Sequence, residues 1–100
     1  MSTINEDEKS HHKKIETGLG SKGRLRILKE LAKNPNKLLT KYALERKTGL
    51  KPVDVRAGLK SLLEIGWVVK HNYRIVKYQL NIEDEMIKQT VEYFRKIRYI

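Results

Sequence analysis

A mainly α-helical domain carrying one small β-hairpin is the fold class this sequence predicts, and three observations predict it. Apolar residues recur at helical spacing in four stretches, near residues 21–33, 41–47, 52–65 and 82–100. One β-rich run, residues 67–80, interrupts them. Glycines and an Asn-Pro-Asn triplet stand at the joints, where the chain must change direction. A chain of 100 residues buries one small core and leaves no space for a second, catalytic domain.

Residues 1–20 are polar, punctuated by glycine and without apolar periodicity, so they are expected to form a mobile polar tail. Lys13-Lys14 within it can brush a polyanion. His11-His12 is an adjacent pair, which neither a helix nor a strand points in one direction, and no acid or cysteine completes a metal site. Gly18-Leu19-Gly20-Ser21-Lys22-Gly23 satisfies G-x-G-x-x-G, the pattern that brings backbone close to a pyrophosphate between a strand and a helix. The residues before it are polar and no βαβ unit follows, so it reads as a flexible lead into a first helix capped by Ser21.

That first helix, residues 21–33, offers Leu25, Ile27, Leu28, Leu31 and Ala32 to a core, and Asn34-Pro35-Asn36 stops it. Leu38-Leu39 permits a very short strand. Thr40 then caps a second helix, about 41–47, which buries Ala43 and Leu44 and leaves Tyr42 outside. Gly49, in the turn Thr48-Gly49-Leu50, supplies the φ > 0 that closes it. Pro52 suits a first helical turn, since its missing N–H would have no partner there. In the third helix Val55, Leu59, Leu62 and Leu63 fall on one side. Val53, Ala57, Lys60 and Glu64 fall opposite, flanked by Arg56 and Ser61.

Gly66 ends the third helix. Trp67-Val68-Val69-Lys70 and Ile75 to Leu80 are β-prone around a tip, His71-Asn72-Tyr73-Arg74, in which Asn72 tolerates a tight turn. Asn81 is expected to cap a last helix, whose acidic start Glu83-Asp84-Glu85 suits the positive end of the helix dipole. Its stripe of Ile82, Met86, Thr90, Tyr93, Ile97 and Ile100 is widened by Ile87, Val91 and Phe94 to about half the circumference. Asp84, Lys88, Glu92 and Lys96 occupy the other side as i,i+4 pairs. A face that wide exceeds what one small domain covers, so Ile82, Met86, Ile87, Thr90, Val91, Tyr93, Phe94 and Ile97 are expected to form a homodimer interface.

The net charge is +10, and its placement says more than its size. Residues 21–80 carry fifteen Lys and Arg against four acids, whereas residues 1–20 carry three against four and residues 81–100 four against four. Basic charge confined to a compact segment is the electrostatic footprint of a nucleic-acid binder, which gains affinity by releasing counterions from phosphates. Arg56 and Lys60 can reach guanine O6 and N7 or a phosphate, and Val53 or Ala57 can touch a thymine methyl. Arg74 at the hairpin tip can enter a minor groove or hold a phosphate, with Lys70 and Lys77 at its flanks.

A helix, a glycine turn, a second helix with a basic outer face, and then a hairpin follow one another as in a winged helix-turn-helix. The run LLTKYALERKTGLKPVDVRAGLKSLLEIGWVVKHNYRIVKYQL resembles winged helix-turn-helix DNA-binding domains of the MarR and ArsR kind and the small basic winged-helix proteins of archaea. The similarity spans residues 20–80 and is carried by Leu44, Thr48-Gly49-Leu50, Val55, Leu59, Leu62, Gly66, Val68 and Tyr78-Gln79-Leu80. It implies a domain of residues 21–80 followed by a dimerisation helix of residues 81–100. It also implies that Lys51, Pro52, Val53, Arg56, Ala57 and Lys60 line double-stranded DNA, with Thr40 and Lys41 at one side and Asn72, Tyr73 and Arg74 of the wing at the other. Regulators of this kind often carry small hydroxyl residues where this chain has Lys51 and Val53.

The expected function is therefore a dimeric, sequence-specific transcription regulator. Alternatives of the same fold are an architectural or chromatin protein with little sequence reading, and a winged helix used only to bind protein. Asp54 and Glu64 near the reading face favour the first, since acids repel phosphate at any sequence. No enzyme is expected, because His11, His12 and His71 lack partners at triad or metal spacing and no Walker or H-E-x-x-H motif occurs. No cofactor or metal is expected either. Absent cysteine removes thiol chemistry, and with no bilayer-length apolar run and no signal-peptide core the expected location is the cytoplasm.

Overall fold

The computed structural model describes residues 6–100. Its elements run α1 (Glu6–Leu19), α2 (Lys22–Lys33), α3 (Lys41–Thr48), α4 (Pro52–Glu64), β1 (Val68–His71), β2 (Lys77–Leu80) and α5 (Glu85–Lys96). The mainly helical architecture with one hairpin is thus the one expected.

Local chemistry sets the boundaries. The Ser21 hydroxyl accepts from the Arg24 N–H at 3.2 Å to open α2, and Thr40 Oγ1 accepts from the Ala43 N–H at 3.0 Å to open α3. Gly49 closes α3 at φ 74°, its N–H donating to Glu45 O. Pro52 stands first in α4. Gly66, at φ 78°, ends that helix in a Schellman turn: its N–H donates to Leu63 O and the Trp67 N–H donates to Leu62 O at 3.0 Å. The same closure ends α5 without glycine. Arg98 takes φ 61°, Arg98 N–H donates to Arg95 O, Tyr99 N–H donates to Phe94 O, and the Tyr99 ring meets Phe94 edge-on at 5.1 Å.

β1 and β2 pair antiparallel from Val68↔Leu80 to His71↔Lys77. Leu39 bridges Tyr78 on the other side of β2, so the very short strand expected at residues 38–39 is present as a single bridge. One core runs through the domain. Ile27, Leu28 and Leu31 of α2 meet Leu44, then Val55, Leu59 and Leu62 of α4, and Trp67, Val68, Tyr78 and Leu80 close it from the hairpin side. Gly58 faces inward: a Cβ there would lie 2.6 Å from Ile27 Cδ1, so its absence lets α2 and α4 pack.

Three expectations need correction. Residues 6–19, read as part of a tail, form α1, which packs on α2 and α4; residues 1–5 of that tail lie outside the described residues. The reason is Gly18. It is buried, and a Cβ at that position would lie 2.0 Å from a ring carbon of Trp67, so the bare backbone of α1 lies flat on the indole. A helix that docks through the absence of a side chain leaves no apolar periodicity to read. The second correction concerns Asn81, which does not cap α5: its amide donates to Gly66 O at 2.8 Å and its Oδ1 accepts from the Glu83 N–H. Asp84 caps instead, Oδ1 accepting from the Ile87 N–H at 3.0 Å, so it does not take its expected place in the i,i+4 pairs, although Lys96 and Glu92 pair at 3.1 Å.

The third correction concerns the α5 face. Ile87 and Phe94 are buried in the protomer's own core, at 1% and 4% exposure, and so cannot also meet a second chain. Met86, Thr90 and Val91 are half-buried, and Ile82, Tyr93 and Ile97 are exposed. The wide apolar face is divided, one edge covered from within and the other left open.

Gly18→Ala tests the docking of α1. The added methyl must push the indole or α1 aside, and overpacking of this kind destabilises by about 1–3 kcal/mol. Urea denaturation followed by the fluorescence of Trp67, the only tryptophan, reads both the lost stability and the displaced ring.

Candidate functional site

The exposed side of α4 carries the cations Lys51, Arg56 and Lys60. Lys51, Pro52, Val53, Arg56, Ala57 and Lys60 are all exposed, as expected. Helical geometry explains it, because Val55, Leu59 and Leu62 commit the opposite side to the core. Arg56 and Lys60 turn toward the hairpin. Together with Lys41 at the start of α3 and Lys70 of β1 they line one open groove of about 340 Å3, with Leu59, Leu63 and Tyr78 beneath and Glu64 at its edge. Four cations against one carboxylate surround that groove.

None of Lys41, Lys51, Arg56, Lys60, Lys70 and Arg74 has an ion-pair partner among the described residues, where the four pairs found are Lys9–Glu6, Lys33–Glu30, Lys88–Glu85 and Lys96–Glu92. Like charges held together without compensation raise the local potential and attract an extended anion.

Ala57 points elsewhere. It shares a second depression with Asp54 and Gly58 of α4 and with Ser21 and Arg24 of α2, away from the four cations. Thr40 is half-buried and its hydroxyl is occupied as the α3 cap, which leaves it the task of placing Lys41. Asn72, Tyr73 and Arg74 are exposed at the hairpin tip but do not line the groove.

The tip is braced from below. The Gln79 amide donates to Pro35 O at 3.3 Å, so its Oε1 is left to accept from His71 Nε2 at 3.0 Å, which places the proton of that imidazole on Nε2. The Tyr73 ring stacks on His71 at 5.6 Å between centroids. A ladder of side chains therefore ties the loop after α2 to the tip. Sequence reasoning treated His71 and Gln79 only as part of the hairpin, because the ladder joins residues 44 positions apart and leaves no periodic mark. Lys70 it named only as a flank of Arg74; the register that sets Lys70 opposite Tyr78 brings it to the groove.

A second groove, also of about 340 Å3, lies between α1 and α5 and is lined by Ile15, Leu19, Met86, Thr90 and Tyr93. Its walls are mainly apolar, with Glu85 and Gln89 also lining it, and α1 had no place in the sequence-based account of this surface. Among the described residues no group of three or more His, Cys, Asp or Glu side chains could hold a metal ion, and no helix is long and apolar enough to cross a membrane.

Tyr78, in the floor of the basic groove, has its phenol pKa pushed above the ordinary 10.0 by burial. An acid whose folded pKa is raised adds stability below its unfolded pKa and loses it as the pH climbs through the folded value. Stability should therefore fall from about pH 10 upward, and Tyr78→Phe should flatten that fall in urea melts taken across the alkaline range.

No match to a protein-family model or to a curated protein sequence was found. Solved structures do match. The chain is similar to NolR from Sinorhizobium fredii with a TM-score of 0.71 at 18% identity, over 97% of this chain and 96% of that one. It is also similar, at a TM-score of 0.68 and 18% identity over 98% of this chain and 90% of the other, to the homodimeric winged helix-turn-helix DNA-binding domain of a possible ArsR-family transcriptional regulator from Mycobacterium bovis. At these identities the likeness establishes the fold, a winged helix-turn-helix in which β1 and β2 are the wing.

Proposed function

We propose that this chain is a dimeric, sequence-specific regulator of transcription that binds double-stranded DNA in the cytoplasm, of the MarR or ArsR kind. The observation that carries the reading is the groove of unpaired cations, Lys41, Arg56, Lys60 and Lys70, bordered by the exposed side of α4. A helix of this width enters the major groove of B-DNA, where Arg56 and Lys60 would meet guanine edges or phosphates. The wing, with Asn72, Tyr73 and Arg74, would reach the neighbouring backbone or minor groove, and Lys41 a phosphate. The solved structures of similar fold support the assignment, one of them a homodimeric DNA-binding domain.

The dimer in this reading forms through the outer edge of α5 and its flanks, the exposed Ile82, Tyr93 and Ile97 with the half-buried Met86 and Thr90, together with Ile15 and Leu19 of α1, which share a groove with Met86, Thr90 and Tyr93. Apolar side chains gathered around one groove are better buried than left in water. Two-fold symmetry would then offer two α4 helices to major grooves about one turn apart, and hence a palindromic site.

Selection of duplexes from a random pool, followed by affinity measured over a salt series, tests the function. A palindrome preferred over random DNA is the expected result. A steep salt slope with no preference would favour an architectural role, and absence of binding at low salt would end the DNA reading. Arg56→Ala should weaken binding to the selected site by about 1–3 kcal/mol and relax its preference; binding unchanged on every site would remove Arg56 from base reading. Paired substitutions Tyr93→Glu and Ile97→Glu, both on exposed positions, should yield monomers in sedimentation while the helical circular dichroism is kept.

A further inference from the structure

Ten large apolar side chains are exposed on the described residues, Tyr42 of α3 and Val69, Tyr73 and Ile75 of the hairpin among them. Ile15, Leu19, Ile82, Tyr93 and Ile97 belong to α1, α5 and its approach, whereas on α4 there is Val53 alone, at 59% exposure. It stands at the second position of the helix, after Pro52. Viewed down the axis it lies about 20° from Lys60 and about 60° from Arg56, on the crest of the helix. Ala57 flanks it on the other side but lines the depression toward α2.

We propose that Val53 reads the C5 methyl group of a thymine in the major groove. The inference rests on the DNA-binding reading above and deepens it, and three physical points carry it. Lys51, Arg56 and Lys60 surround Val53 without ion-pair partners among the described residues, so the partner that approaches it is anionic rather than an apolar protein surface. Among the base edges of a major groove the one apolar projection is the thymine methyl. A β-branched side chain in a helix keeps essentially one rotamer, so its methyl groups stand ready and lose little freedom on contact.

The test replaces each thymine of the selected duplex in turn by deoxyuridine, which removes the methyl and keeps the pairing edge. One thymine in each half-site should then matter: its replacement should weaken the wild-type chain about fourfold, the value of one buried methyl-sized group, and should leave Val53→Ala unaffected. Val53→Thr keeps the shape but turns one methyl into a hydroxyl, and should fall between the two. The proposal is overturned if the wild-type chain keeps its site preference yet ignores every uridine, or if the penalty is equally large in Val53→Ala. Failure of the wild-type chain to select any duplex is a separate result, which removes the DNA reading and this inference with it.

Discussion

The seating of Trp67 on the bare backbone of Gly18 is the contact on which the arrangement of the other elements depends. The indole is wholly buried, and it sits where α4 has just closed at Gly66 and β1 is about to start. Three connections meet at this joint. The Trp67 N–H completes the closure of α4, its carbonyl accepts from the Asn81 N–H, and the Asn81 amide holds Gly66 O, so α4, the wing and the approach to α5 are tied together within a few residues. Burial of an indole contributes several kcal/mol. Some of that is offset by Nε1, which has no hydrogen-bond partner among the described residues. The balance favours α1 lying down, since lifting it would return the ring to water.

Around that joint the molecule separates two kinds of surface. One groove is cationic, with its charges unpaired among the described residues; the other, between α1 and α5, is lined mainly by apolar side chains. Uncompensated Lys and Arg around a groove repel one another, and the fold holds them there because each sits on an element fixed by burial of its opposite face: Arg56 and Lys60 by Leu59 and Leu62, Lys70 by Val68 and the pairing with Tyr78. The ladder from Pro35 through Gln79 and His71 to Tyr73 does the same for the wing. Elements fixed in this way present their side chains with little freedom left to lose on contact.

The end of α5 shows how far local chemistry can go without glycine. Arg98 takes the left-handed conformation that an L-residue seldom adopts. The compensation is visible: Tyr99 closes edge-on over Phe94, and the Lys29 ammonium of α2 lies 4.6 Å from the Tyr99 ring centre. Through Phe94 and Ile87 the helix is anchored to its own domain, which leaves its outer edge to face outward in a fixed orientation.

By itself the sequence determined α2, α3, α4 and the hairpin, because their apolar periods, Thr40 and Ser21 caps and the glycines at 49 and 66 act within a few residues of one another. It likewise determined which side of α4 faces outward, since Val55, Leu59 and Leu62 at helical spacing leave no choice. Tertiary structure alone decided that residues 6–19 are a helix, that Asp84 rather than Asn81 caps α5, and that Ile87 and Phe94 face inward. It also decided which cations share a groove. For the helix, the cap and the groove the deciding partner is distant in the chain: Trp67 for Gly18, Gly66 for Asn81, Lys70 for Arg56. Spacing along a sequence records what a residue does to its neighbours, while contacts between distant segments exist only once the core has brought them together.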